Sequence, residues 1–184
     1  PTGPAGPAGA AGAEGPTGPT GPAGPAGAAG AAGAEGPTGP TGPANGLNAY
    51  GGLYSTDPPT LNLTIGGTTQ VPLPSTLPSE AVTYTPANSI SVTEAGTYEI
   101  NYSTTMTAAV ATTITFAVRV DGINVPSATI SRALAVGTSS LFNGSTVVTL
   151  VAGNVIDMAL SALLAVGITL GSGVNATLSI KKLN

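Results

Sequence analysis

Beyond residue 88, apolar and polar side chains alternate along the chain with a period of two. Ser89-Ile90-Ser91-Val92-Thr93, Tyr98-Glu99-Ile100-Asn101-Tyr102, Phe116-Ala117-Val118-Arg119-Val120 and Leu178-Ser179-Ile180 all carry it. Successive side chains of an extended strand point to opposite faces, so this period predicts strands with one buried and one solvated side. Turn formers separate the runs: Glu94-Ala95-Gly96, Asp121-Gly122, Asn143-Gly144 and Ala152-Gly153-Asn154. Asp121-Gly122 gives the clearest hairpin, because a two-residue loop needs positive φ at both positions. Many short strands at such spacing predict an all-β sandwich or barrel. No helix competes. Residues 108–111 and 158–166 are rich in Ala and Leu but adjoin β-branched residues and lack a capping residue. Pro58, Pro59, Pro72, Pro74, Pro78, Pro86 and Pro126 fall outside the alternating runs or at their edges, where a missing donor costs little.

Residues 158–180 carry no charge, as a membrane span would. The stretch is broken by Gly171-Ser172-Gly173 and contains Ser161, Thr169 and Asn175. Two strands joined by a glycine turn account for it better, and no transmembrane segment is expected.

Upstream the period changes from two to three. Glycine stands at every third position from Gly3 to Gly42 without exception. Three polyproline-like chains winding about one axis need this spacing, since only a hydrogen side chain fits at the axis. The expectation is a trimer with a rod-like stalk of roughly 130 Å. Residues 15–36 form a longer unit, GPTGPTGPAGPAGAAGAAGAEG, which a shortened copy precedes and a third copy follows. Every stalk proline from Pro4 to Pro43 follows a glycine directly, and none precedes one. A rod that does not depend on proline hydroxylation suits a bacterial or viral source. Thr2, Thr17, Thr20, Thr38 and Thr41 precede glycines and point outward from such a rod. They are spacers or candidate sites of O-linked sugar. Asn45-Gly46 marks the hinge, dividing a collagen-like stalk, residues 1–44, from a head, residues 45–184. The first residue is proline, which suggests a piece of a longer chain whose targeting segment came earlier.

Composition narrows the chemistry. The chain has 8 acidic and 4 basic residues and no His, Cys or Trp. Four scattered cations make no nucleic-acid footprint, so that partner is not expected. Ser-His-Asp and Cys-His nucleophiles and Cys/His zinc sites are absent by composition, and the chain is expected not to be an enzyme. Glu94, Glu99, Asp121 and Asp157 are turn formers or solvated charges rather than a glycosidase pair. Asp57, Glu80 and Asp121 form no dense acidic loop for calcium. No catalytic residue, metal or cofactor is assigned. Arg119, on the polar side of its strand, is expected to pair with an acid. The four Asn-x-Ser/Thr patterns, at Asn62, Asn101, Asn143 and Asn175, are incidental, and the five tyrosines are core or interface residues. Only 7% of the chain is charged, below what coats an ordinary monomer. Val147-Val148, Leu163-Leu164-Ala165-Val166 and Ile168-Thr169-Leu170 read as strands apolar on both faces, which a homotrimer would bury.

A repeat rich in GPT triplets followed by a β-rich domain resembles the BclA-type collagen-like glycoproteins of the bacterial spore exosporium. Gly52-Leu53-Tyr54 is similar to that family's opening strand, and SISVTEAGTYEINY (from Ser89) to its Glu-x-Gly-x-Tyr element. FAVRVDGINVP (from Phe116) and LGSGVNATLSIKKL (from Leu170) are similar to its central hairpin and closing strand. The resemblance implies a C1q/TNF-like jelly-roll head forming a homotrimer, with the Gly96-Thr97-Tyr98 element and a hairpin at Gly153-Asn154 as shared features. It also implies a spore-surface location, O-glycans on stalk threonines and a head that nucleates the triple helix. A head that meets the environment would adhere to a host or abiotic surface. A phage or prophage tail fibre with a receptor-binding head is the alternative.

Overall fold

The computed structural model describes residues 3–33, 48–56 and 59–184. The chain forms two compact units, Pro1–Thr41 and Gly42–Asn184; Asn45-Gly46 lies outside the described residues. In the first unit, residues 3–33 are exposed and form neither helix nor strand. A Cβ placed on any repeat glycine between Gly3 and Gly33 meets no atom within 4 Å. This chain's own packing therefore does not require glycine there.

The second unit is an all-β sandwich of two antiparallel sheets, with no helix among the described residues. Its strands are β1 (Tyr50–Ser55), β2 (Thr60–Leu63), β3 (Thr68–Gln70), β4 (Ser75–Thr76), β5 (Val82–Thr83), β6 (Ile90–Val92) and β7 (Gly96–Ala108). There follow β8 (Thr112–Val120), β9 (Ile123–Leu134), β10 (Ser140–Leu150), β11 (Val155–Ala162), β12 (Val166–Leu170) and β13 (Ala176–Lys182). The first sheet runs β2-β12-β7-β13-β1-β4, with β10 also on β7; the second runs β5-β6-β11-β8-β9, with β3 also on β11.

The period of two becomes burial. Along β7, Tyr98, Ile100, Tyr102, Met106 and Ala108 face the core while Glu99, Asn101, Ser103, Thr105 and Thr107 face outward. Ile114, Phe116 and Val118 of β8 and Ile156, Met158 and Leu160 of β11 meet them from the second sheet. Tyr102 stacks on Phe116 at 5.3 Å between ring centroids, and Phe116 lies 6.1 Å from Phe142 of β10. Each such buried apolar side chain contributes about 1.5–3 kcal/mol.

Four sequence expectations need correcting. Asn143-Gly144 is not a turn but lies within β10. A Cβ on Gly144 would meet the Tyr102 hydroxyl at 2.5 Å, so glycine serves here to make room for a ring. Ala152-Gly153-Asn154 is a turn, with Gly153 at φ 93°, but it joins strands of opposite sheets. Gly171-Ser172-Gly173 does not join a paired hairpin. β12 and β13 lie end to end on one edge of β7, and residues 171–175 bulge out opposite Thr105 alone. The Gly171 and Thr105 N–H groups, bonding the Thr105 and Asn175 carbonyls, pin both ends of that excursion. Leu163-Leu164-Ala165 is a loop, not a strand. By contrast, Asp121 and Gly122 have φ of 51° and 79° and turn β8 into β9. Pro126 falls inside β9, the last strand of its sheet, where residues 125–128 bulge opposite Val118.

Candidate functional site

Six of the nine charged side chains described in the head pair with one another. Asp157 of β11 stands opposite Arg119 of β8. Arg119 donates Nε–H to Asp157 Oδ1 at 2.7 Å and an Nη2 hydrogen to Oδ2 at 2.5 Å. Gln70 of β3 donates to the same Oδ2 at 3.0 Å and to Ser89 Oγ at 3.0 Å. Four strands of the second sheet or their flanks are thereby tied through one carboxylate. The Asp157 hydrogen bonds hold the Arg119 guanidinium above its ordinary range, against the opposing effect of burial. Arg119 therefore has the acidic partner expected of it. Asp157 is buried, not a solvated charge at a turn; the alternation that places Arg119 outward gives no sign of its neighbour across the sheet.

The other acids hold the end at which the chain enters the head. Asp121 accepts the Val155 N–H at 2.8 Å and an Asn154 amide hydrogen at 2.7 Å, fixing the hairpin against the next turn. Glu94 pairs with Lys182 at 2.7 Å and Glu99 with Lys181 at 2.8 Å. The hydrogen bond to Glu94 raises the Lys182 ammonium above its ordinary range. The bond from Lys181 holds the Glu99 carboxyl below its range, with Asn101 and Ser145 as further donors. Backbone bonds join Glu80 to Tyr50 in both directions. Asp57, named as a calcium candidate, lies outside the described residues. Among the described residues, no three acidic side chains gather into one group.

Tyr98 and Tyr102 are core residues whose phenols burial pushes up. The Tyr84 hydroxyl donates to the Leu77 carbonyl and accepts the Gly52 N–H, fastening the first strand. Asn175 is buried and Asn101 and Asn143 lie within strands. Thr17 and Thr20 of the stalk are exposed; Thr2, Thr38 and Thr41 lie outside the described residues.

The outer face of the first sheet is the broadest candidate surface. It presents Asn101, Ser103 and Thr105 from β7, Thr177 and Ser179 from β13, and Asn143 and Ser145 from β10. Small neutral polar groups thus make most of this face, whereas the sequence suggested that a homotrimer would bury strands apolar on both sides. Leu141 and Val147 of β10, and Leu77 over Gly52, are exposed large apolar residues on this face, while Val148 turns inward. A shallow groove of about 390 Å³ opens beside it, lined by Tyr50, Leu77, Pro78, Ile180 and Lys181 among others. No helix among the described residues is long and apolar enough to cross a membrane.

No curated protein matches the chain. Among solved structures the head is similar to murine APRIL at pH 5.0, with 15% identity and a TM-score of 0.54 over 73% of this chain and 98% of that one. It is similar also to Eiger TNF from S. frugiperda, with 12% identity and a TM-score of 0.50 over 74% of this chain and 91% of that one. At such identities the likeness concerns the fold, a TNF-like jelly roll. The sequence model of the BclA C-terminal domain matches residues 52–184, from the opening strand through the closing one, and the chain belongs to that family.

Proposed function

We propose that this protein is a structural glycoprotein of the spore exosporium surface, a homotrimer whose head aligns and nucleates a collagen-like stalk. One observation carries the reading: a BclA C-terminal domain follows an unbroken glycine-triplet repeat. The described repeat glycines, Gly3 to Gly33, meet no neighbours within their own chain, which supports a period that answers to packing between chains. The rod has no core of its own, and the head supplies the point at which three chains come into register. The near-neutral outer face of the first sheet supports this part. Small side chains let flat faces approach closely, and few ions are dehydrated in doing so. The outward threonines, Thr2, Thr17, Thr20, Thr38 and Thr41, carry O-linked sugar in this reading, and the head adheres to the surface it meets. The protein is a scaffold and not an enzyme, in keeping with a composition lacking His and Cys. The family match favours this reading over a phage tail fibre.

Sedimentation of residues 45–184 and of the full chain tests it. Both are expected as trimers, and circular dichroism of the full chain adds a triple-helix signal. A stable monomeric head overturns the nucleation role.

A further inference from the structure

β7 is a ruler for the head. At its Gly96 end lie the start of β1 and the end of β13; at its Ala108 end four loops gather, residues 64–67, 109–111, 135–139 and 163–165. The charges are divided unequally between these ends. Of nine charged side chains among the described residues of the head, only Arg132, opposite Ile114, belongs to the loop end. The pairs Arg119–Asp157, Glu94–Lys182 and Glu99–Lys181, with Glu80 and Asp121, all belong to the other half.

The four loops contain no charge at all and raise aliphatic side chains instead. Ile65 is 72% exposed, Val110 45%, Val136 60%, Leu163 77% and Leu164 52%. Gly66 and Gly137, at φ 67° and 68°, make the tight turns that lift Ile65 and Val136 outward. The loops are tied to the frame and to each other. Ile65 bridges Ala162, Val136 bridges Ala108, and Ala109 N–H bonds the Gly167 carbonyl. Gly67, Gly137 and Thr138 N–H groups also find carbonyl partners. The backbone there has thus already met part of the hydrogen-bonding demand that makes entry into an apolar phase costly.

We propose that this crown of Ile65, Val110, Val136, Leu163 and Leu164 inserts into the interface of an electrically neutral lipid bilayer. The inference rests on the adhesion reading above and names the surface and the residues. Three features select this occupant. The crown is made of separate protruding side chains rather than a groove, which suits a fluid phase that closes around each. Its four loops carry no aromatic or arginine side chain of the kind that anchors protein interfaces. The one cation of this end, Arg132, lies on β9 below the loops, donating to the Leu141 carbonyl and lying over the Phe142 ring, so apolar burial must supply most of the affinity.

Flotation of the full chain with phosphatidylcholine vesicles, in low and high salt, tests the proposal, with sedimentation of the same samples reporting the oligomer. The chain is expected to float, undiminished by salt. The triple substitution I65S/L163S/L164S is expected to lower the bound-to-free ratio about tenfold or more, with the sedimenting species unchanged. Ile123→Ser, exposed on the hairpin at the other end of the head, is expected to leave flotation as it was. Flotation only with anionic vesicles, or loss of the oligomer together with flotation in the triple variant, overturns the proposal. A chain captured by polystyrene beads but not by lipid overturns the lipid assignment and leaves adhesion standing; capture by neither overturns both.

Discussion

The stalk and the head are ordered by opposite means. In residues 3–33 every position is exposed and the regularity lies wholly in the sequence. In the head the regularity is converted into a buried cluster that reaches from Ala49 to Ile180. The stalk's described glycines, Gly3 to Gly33, answer to no contact within their own chain, whereas Gly144 answers to one ring, that of Tyr102. A repeat without a core holds no information about register, and a core holds it in every pair of strands. In the function proposed above, the head is therefore the part that folds first and imposes alignment on the other.

Separation of the two parts is the sharpest way to break this contrast. A peptide of residues 1–44 is expected to show no triple-helix signal at micromolar concentration, while residues 45–184 keep a cooperative thermal transition; a peptide that trimerises alone would remove the head's role. Next in size is Phe116→Ala, which empties the centre of the aromatic stack and is expected to cost about 3–5 kcal/mol in urea unfolding of the head. The matching change in the stalk, Gly21→Ala, is expected to leave head unfolding unaltered and to lower only the stalk's melting. Asp157→Ala strips Arg119 of its carboxylate and Gln70 of an acceptor, at an expected cost of about 2 kcal/mol by the same measurement.

The smallest expected effect is that of pH. With no His or Cys, no side chain of ordinary pKa titrates between about pH 5 and 9, so head stability should be flat across that window. Glu99 is held below its ordinary 4.5. Its contribution is present above that value and is lost as the pH falls through the lowered one. Tyr98 and Tyr102 are raised above 10.0. Their contribution is present below that value and is lost as the pH rises toward the raised ones. Urea midpoints between pH 3 and 11 would show the plateau and both declines; a step near neutrality would contradict it.

Much of this was legible in the chain because alternation and burial are the same fact in β7, where every inward residue from Tyr98 to Ala108 except Thr104 is apolar and each outward one polar. Asp121-Gly122 was legible too, since its backbone demand is local. Partners brought together by topology were not. Nothing local to Asp157 announces Arg119, and nothing local to Asn143-Gly144 distinguishes a turn from a strand that must clear Tyr102. Leu163 and Leu164 show the same limit: their apolarity implied a strand face, but the crossing between sheets falls on them and turns them outward. The candidate surface was legible in its lack of charge and not in its chemistry, because Thr, Ser and Asn occupy the outward half of an alternation that the eye follows by its aliphatic half.

The excursion opposite Thr105 has a consequence for how this head can change over time. Because β12 and β13 are each paired to β7 on their own account and both ends of residues 171–175 are fastened, the length of the segment between them is free of the register on either side. Insertions there would add to the outside of the molecule without moving a single cross-strand partner. It is a natural slot for variation between lineages, and for grafting a foreign epitope onto the head.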